Sequence, residues 1–197
     1  MSTATQKNKP AVRLAECAVM LALSIVLSFV TILKMPMGGE ITLLSMLPVA
    51  LISVKYGWKT GITTALLYAL FQLVQGVAAG NVFVYIETLP GVVVCVLFDY
   101  LVPFTLLGLA GVFKKHGKTG IVLGIAMVIA LRFCCHYFTG VYIWGQWAED
   151  MSKYLYSLLY NGQYMLPECV ITCVAAAILI NIKQVQKLLG LNFEKKD

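Results

Sequence analysis

Charged residues are scarce in this chain. Aspartate, glutamate, lysine and arginine together make up 12% of its 197 residues, whereas 60% are hydrophobic. A soluble domain usually carries about 25% charged residues and about 45–50% apolar residues. The composition therefore excludes an ordinary water-soluble domain and predicts an integral membrane protein.

Several chemical signatures are also missing. The sequence has no glycine-rich phosphate loop of the Walker type, so we expect no ATP hydrolysis by this chain itself. It has no HExxH motif and only two histidines, which do not indicate a metal site. The six cysteines form no CxxC pair and lie in apolar stretches, as small apolar helix residues do. We therefore expect no catalytic residues, no metal and no cofactor.

The basic residues indicate a membrane topology. The net charge is +6, but the lysines and arginines form short clusters between apolar runs, which does not indicate nucleic-acid binding. If the N-terminus is placed in the cytoplasm, all 15 of them except Lys34, Lys153 and Arg132 fall in or next to cytoplasmic segments. Because cytoplasmic loops of membrane proteins are enriched in basic residues, this bias predicts that both termini are cytoplasmic and that the number of helices is even.

Six apolar runs are candidates for transmembrane helices, each of which needs about 20 mostly apolar residues. The second run is short and contains Pro48, which favours a tilted or partly inserted helix. We expect an all-α membrane protein, a bundle of about six transmembrane helices at residues 13–185, between cytoplasmic tails at 1–12 and 186–197. The predicted helices are 12–33, 41–54, 58–79, 90–113, 119–138 and 164–182.

Away from the ends of these helices, at membrane depth, four ionisable side chains stand out: Asp99, Arg132, His136 and Glu168. Such groups at membrane depth normally face a cavity or a charged partner. Asp99 is followed by Tyr100, and a buried carboxylate beside aromatic rings suits a positively charged or amino-bearing ring. The alternative is structural, with Arg132 paired to Asp99 or Glu168 to hold the bundle together, and the two interpretations are compatible.

Helix 5 carries a polar stripe. Arg132, His136, Gly140 and Trp144 are spaced by four residues, so they share one helix face if the helix extends that far. Toward the outer surface, the stripe presents in order a guanidinium, an imidazole, a glycine that leaves space and a large aromatic ring. This combination is typical of a binding site. The alternative is that His136 is a core residue whose hydrogen bonds are made within the helix bundle and serve only the structure.

The segment after helix 5 is the longest predicted outer loop and is rich in aromatic residues. It includes Tyr156 and Asn161, and an asparagine amide can donate to and accept from a heteroaromatic edge. Taken alone, however, Asn-Gly is a turn signal, and aromatic residues also form the interfacial belt of membrane proteins. Both alternatives stay open.

Several segments together resemble one family. LFDYLVPFTLLGLAGVF, RFCCHYFTGVYIW, YSLLYNGQYMLPE and MPMGGEITLLSMLPV with KYGWKTG are similar to the thiamine-specific substrate-binding subunits, or S components, of energy-coupling factor transporters. The resemblance extends over about residues 13–185. It implies a non-enzymatic, multi-pass protein of the cell membrane that binds thiamine near the outer face. It further implies association with a membrane coupling subunit and two cytoplasmic ATPase subunits that drive uptake.

The resemblance also implies residue roles. Asp99 would neutralise the thiazolium or bond the aminopyrimidine, and Trp144 and His136 would enclose the rings under a lid formed by the first loop. Ala18 and Ala22, a small-xxx-small pair on helix 1, would dock the coupling subunit, although internal packing is the alternative. The residues implied in substrate binding are Glu40, Glu87, Asp99, Tyr100, Arg132, His136, Gly140, Trp144, Tyr156 and Asn161.

Two other functions are compatible with the same residues. One is an S component for another vitamin or pyrimidine, which a ligand screen distinguishes. The other is a membrane enzyme that uses Asp99 and His136 as acid and base, which turnover of a bound ligand would reveal.

Overall fold

The structure, a computed structural model, describes residues 10–80 and 84–193, apart from the side chain of Met37. Five of the helices in these ranges are long and apolar enough to cross a membrane, and a shorter apolar helix accompanies them. This architecture confirms the predicted all-α membrane bundle of about six helices. The helices are α1 (Pro10–Ser28), α2 (Leu47–Tyr56), α3 (Trp58–Ala78), α4 (Leu89–Leu109), α5 (Gly117–Tyr142), α6 (Lys153–Leu179) and the short α7 (Lys183–Leu189).

Helix α2 is shorter than a membrane span and is surrounded by protein rather than lipid. All of its residues from Leu47 to Val54 are buried. Pro48 lies in its first turn, where the missing N–H has no intrahelical partner to lose. Gly57 separates α2 from α3 with φ of +85°, a conformation that favours glycine.

The loop after α1 forms a two-stranded antiparallel hairpin of β1 (Thr31–Lys34) and β2 (Glu40–Thr42), with Lys34 opposite Glu40. The predicted start of helix 2 at residue 41 was therefore wrong. The chain at 40–42 is extended because it pairs with β1, and the helix begins only at Leu47.

The prediction for helix 6 was also wrong at its start, since α6 begins at Lys153 rather than near residue 164. Asn161 and Gly162 form no turn, because the Asn161 amide donates within the helix to Ser157 O (3.0 Å) and across to His136 O on α5 (3.1 Å). Pro167 lies inside the helix, as neighbouring helices allow in membrane bundles. The long outer loop predicted between helices 5 and 6 is therefore mostly helix.

The basic helix ends meet at one end of the bundle. Lys55, at the end of α2, forms an ion pair with Glu16 of α1. Lys114 donates to Val54 O (3.1 Å), and Lys118 donates to Asn181 Oδ1 (2.7 Å) near the C-terminal end of α6. This grouping supports the predicted topology, and the cytoplasmic orientation of this end remains a prediction.

Candidate ligand-binding site

A cavity of about 180 Å³ lies beside the β1–β2 hairpin, between α3, α4, α5 and α6. We call it the chamber. Nine of the ten residues predicted to bind substrate line the chamber, although they are spread over more than a hundred positions of the sequence. They are Glu40, Asp99, Tyr100, Arg132, His136, Gly140, Trp144, Tyr156 and Asn161.

Asp99 lies in an irregular stretch of α4. The segment Val96–Leu101 is wound as a π-helix, a form that often marks functional sites. The Asp99 carboxylate accepts hydrogen bonds from His136 Nδ1 (3.0 Å), from the Thr139 hydroxyl and from Trp144 Nε1 (3.1 Å). Three donors of α5 and the turn after it therefore hold this carboxylate in the chamber wall.

The tautomer of His136 follows from its neighbours. Arg132 Nε lies 3.3 Å from His136 Nε2. A guanidinium group only donates, so Nε2 accepts, and the imidazole proton of a neutral His136 is assigned to Nδ1, facing Asp99. The bond from Trp144 to Asp99 fixes the indole in the same network, so hydrogen bonds link Arg132, His136 and Trp144 through Asp99. The predicted stripe is not continuous on one helix, because α5 ends at Tyr142 and Trp144 lies in the turn after it.

Arg132 pairs with Glu168, not with Asp99. Its Nη1 lies 3.2 Å from Glu168 Oε2, and the two side chains are 8% and 3% exposed. The other carboxylate oxygen, Oε1, accepts a hydrogen bond from the Thr42 hydroxyl (2.8 Å) of β2. Arg132 therefore forms an ion pair within the bundle, as the structural interpretation predicts. It also lines the chamber, so this pairing is compatible with a role in substrate binding.

Gly140 and Asn161 bring α5 and α6 into close contact. A Cβ on Gly140 would lie 2.1 Å from Ser157 Oγ and 2.9 Å from Asn161 Nδ2. Asn161 Oδ1 accepts from the Tyr164 hydroxyl (2.9 Å). Asn161 therefore orients the backbone beside His136 as well as lining the chamber.

The hairpin covers one side of the chamber and is attached to α6. The Tyr160 hydroxyl donates to Pro36 O and accepts from Gly39 N (3.1 Å). Glu40 is held by Lys34 at 3.5 Å and by the Thr31 hydroxyl at 3.2 Å. Glu40 therefore lies at the edge of the chamber, where the ammonium group of Lys34 offsets its charge.

Sequence reasoning missed several chamber residues. Ser157 and Tyr164 lie on the same face of α6 as the predicted Asn161 and Glu168, at helical spacing, and Tyr160 lies beside them. That periodicity would have revealed a polar face if the segment had been interpreted as helix. Others lie on the hairpin, on the turn before α2, on α3 and on α5, and belong to no motif in the sequence: Thr42, Ser45, Gln72, Gln75 and Thr139.

Glu87 does not line the chamber. It is exposed and lines a separate cavity of about 590 Å³, together with Tyr85 and Trp147. Trp144 lies between the two cavities, with its ring centroid 6.2 Å from Tyr85 and 5.7 Å from Trp147. The structure thus separates Glu87 from the other nine predicted residues.

Ala18 and Ala22 are both exposed on α1. The alternative that they pack inside the chain is therefore not supported by the part of the molecule that the structure describes. Larger apolar side chains on the same helix, such as Val19 and Val26, are exposed as well, at 66% and 61%. This face of α1 is open to lipid or to another protein.

Comparisons with known proteins agree on one family. The model of the family described as thiamine transporter protein matches residues 14–188. The thiamine transporter ThiT of Bacillus subtilis is 33% identical over 188 residues, covering 88% of this chain and 92% of the relative. ThiT of Lacticaseibacillus paracasei is 23% identical over 195 residues, covering 90% of each chain.

A solved structure supports the fold. ThiT from Listeria monocytogenes superimposes with a TM-score of 0.73 at 24% identity, covering 94% of this chain and 100% of that one. The named relatives are transporters and not enzymes, in agreement with the prediction of a non-enzymatic protein. With its membrane-spanning helices and a family match over most of its length, this multi-pass protein of the cell membrane belongs to the thiamine transporter protein family.

Proposed function

We propose that this protein is an S component that binds thiamine in the chamber at the outer face of the membrane. Import would then be driven by partner subunits of an energy-coupling factor transporter. One observation carries the proposal. Among the described residues, the partners of the Asp99 carboxylate are an imidazole, a hydroxyl and an indole N–H, while the chamber's guanidinium, Arg132, is neutralised by Glu168.

The charge of the chamber suits a cation. Arg132 offsets Glu168, and Lys34 offsets Glu40, which leaves the negative charge of Asp99 in excess when His136 is neutral. The Asp99 side chain is 13% exposed, and a carboxylate largely withdrawn from water is costly without a cationic partner, so a cationic ligand lowers that cost. Thiamine supplies a positive charge on its thiazolium ring and an amino group on its pyrimidine.

The aromatic residues of the chamber suit flat rings. Trp144 is held by its bond to Asp99, so its indole plane is fixed before any ligand arrives. Tyr156 and Tyr160 lie stacked, with centroids 5.9 Å apart and an interplanar angle of 25°. Aromatic faces around a cationic heteroaromatic ring add cation–π attraction, which increases when the site is desolvated.

The partner subunits are proposed from the family resemblance and from the surface of α1. The exposed Ala18 and Ala22 offer a small-residue surface on which a helix of a coupling subunit packs closely. The sequence has no phosphate-binding loop, so ATP hydrolysis would come from two cytoplasmic partners. The transmembrane unit at 13–185 would form the substrate-binding domain, between cytoplasmic tails at 1–12 and 186–197.

Isothermal titration calorimetry of the detergent-purified protein, prepared from cells grown without thiamine, tests the binding step. We expect one site with nanomolar affinity, equivalent to a binding free energy of about −12 kcal/mol. Mass spectrometry of the small molecule that co-purifies from rich medium should identify thiamine. Tight binding of a different vitamin in place of thiamine would refute the proposal.

The coupling step needs a separate measurement. Uptake of labelled thiamine into vesicles should require the coupling subunit, both ATPase subunits and ATP. Ala18→Leu with Ala22→Leu should abolish uptake and leave calorimetric thiamine binding unchanged, since both residues lie outside the chamber. Uptake by the chain alone would contradict the proposed assembly.

A further inference from the structure

Gln72 of α3 lines the chamber and carries an unpaired polar atom. Its amide oxygen Oε1 is buried and has no hydrogen-bond partner among the described residues. Buried polar atoms are nearly always hydrogen-bonded, and leaving one unpaired costs free energy. A partner that binds inside the chamber would account for this orphaned acceptor.

The depth of Gln72 follows from its neighbours on α3. Tyr68, Gln72 and Gly76 share one helix face, each four residues apart. Gly76 contacts Tyr100, whose hydroxyl would lie 2.2 Å from an added Cβ. Tyr68 packs edge-on against Phe104, with ring centroids 5.6 Å apart. Gln72 therefore lies between the levels of Tyr100 and Phe104, in the deep part of the chamber.

A donor lies at the same depth. The guanidinium of Arg132 stacks over Phe104, with Cζ 4.3 Å from the ring centroid. Its hydrogen bonds to described residues use Nε, to His136, and Nη1, to Glu168 and Met46. Nη2 remains as a donor on a side chain that lines the chamber.

One acceptor and one donor at the same depth complement an alcohol. A hydroxyl group donates one hydrogen bond and accepts others, whereas an amino group on a ring mainly donates. Given the proposed function, on which this step rests, thiamine carries a single alcohol at the end of its hydroxyethyl chain. We infer that Gln72 is a specificity-determining residue, whose Oε1 accepts a hydrogen bond from this hydroxyl while Arg132 donates to its oxygen.

This assignment fixes the direction of the ligand. The hydroxyethyl chain enters the deep end, between α3 and Arg132. The two rings then lie toward Asp99 and Trp144, which share a hydrogen bond of 3.1 Å. Gln72 is thereby assigned to the tail of the ligand and Asp99 to its cationic and aminopyrimidine part.

A thermodynamic cycle between protein and ligand tests the assignment. Calorimetry would compare wild type and Gln72→Leu with thiamine and with an analogue that has ethyl in place of hydroxyethyl. We expect wild type to bind thiamine at least about tenfold more tightly than the ethyl analogue, which lacks the hydroxyl that bonds to Gln72 and Arg132. Gln72→Leu should lose most of this preference and keep about threefold or less, because only the hydrogen bond from Arg132 to the hydroxyl then remains.

Two results would overturn the inference. One is an equal loss of affinity for both ligands in Gln72→Leu, which indicates a structural role. The other is a loss that disappears with oxythiamine, in which a carbonyl replaces the pyrimidine amino group, since Gln72 would then contact that amino group. Absence of thiamine binding by wild type would instead refute the proposed function.

Controls address folding and the nature of the substitution. Gln72→Met, which keeps the length of the side chain, should give the same pattern as Gln72→Leu. Gln163→Leu makes the same change at an exposed position of α6 outside the chamber and should leave both affinities unchanged. A tenfold preference for thiamine retained by Gln72→Met would also refute the inference.

Discussion

Arg132 Nη1 lies 3.2 Å from Glu168 Oε2, and this buried ion pair joins α5 to α6 beneath the chamber. Glu168 also accepts the hydrogen bond from Thr42 of the hairpin. The same carboxylate therefore supports the chamber from two directions. Because Glu168 offsets its positive charge, Arg132 does not repel a cationic ligand, although it lines the cavity.

Breaking this pair should destabilise the protein. Glu168→Leu leaves the Arg132 charge buried without its partner, and such changes cost about 3–5 kcal/mol. Thermal unfolding in detergent should therefore show a large fall in Tm. The double substitution Arg132→Met with Glu168→Leu should recover most of the lost Tm, because no unpaired charge remains. Lys34→Met breaks a pair whose lysine is 72% exposed and should cost about 0–1 kcal/mol. Equal effects of the two single substitutions would contradict this account.

Asp99→Asn should weaken thiamine binding by a factor of about 30 or more, equivalent to about 2 kcal/mol. The substitution removes the excess negative charge of the chamber and replaces one acceptor oxygen by a donor facing Trp144 or His136. Calorimetry measures the change. Asp150→Asn, at an exposed position, is the matched control and should bind as wild type does. Unchanged affinity in Asp99→Asn would refute the assigned role of the carboxylate.

Gly140→Ala should lower the affinity by pushing apart the α5–α6 contact. The new Cβ would lie 2.1 Å from Ser157 Oγ and 2.9 Å from Asn161 Nδ2, so these side chains must move. Because Asn161 bonds to the backbone of His136, we expect the displacement to reach the chamber and to cost about tenfold in affinity. Gly162→Ala, with nothing within 4 Å of the added atom, is the matched control. Similar affinities for the two variants would show that this close contact is unimportant for binding.

Tyr160→Phe should speed the release of thiamine. The hydroxyl joins α6 to Pro36 O and Gly39 N, and its loss frees the hairpin on one side of the chamber. Since two hydrogen bonds are removed, we expect a dissociation rate about tenfold higher, measured by stopped-flow fluorescence. Tyr154→Phe makes the same change at an exposed position of α6 outside the chamber, and this control should not change the rate. A normal rate in Tyr160→Phe would show that the hairpin does not retain the ligand.

Cysteine labelling tests the membrane orientation. Lys115→Cys and Lys153→Cys are both exposed and lie at opposite ends of the bundle in the predicted topology. A membrane-impermeant maleimide should label Lys153→Cys in intact cells and Lys115→Cys only after permeabilisation. The unsubstituted chain, with its six cysteines in apolar segments, gives the background. The reverse pattern would invert the topology.

The order and type of the helices could be predicted from the sequence because lipid imposes one simple condition. Each spanning segment must be apolar and must satisfy its own backbone hydrogen bonds. Four polar groups at membrane depth, Asp99, Arg132, His136 and Glu168, were visible for the same reason. The start of α6 was not, because Asn161-Gly162 and Pro167 are local breaker signals that packing against α5 overrides.

The sequence by itself determined that this is a membrane bundle with a few ionisable groups that need partners, since hydrocarbon excludes unpaired charge. Only the tertiary structure decided which groups pair. Whether Arg132 meets Asp99 or Glu168 depends on how α4, α5 and α6 pack against one another, which no local pattern in the sequence specifies. That choice leaves Asp99 hydrogen-bonded but, when His136 is neutral, without a cationic partner among the described residues.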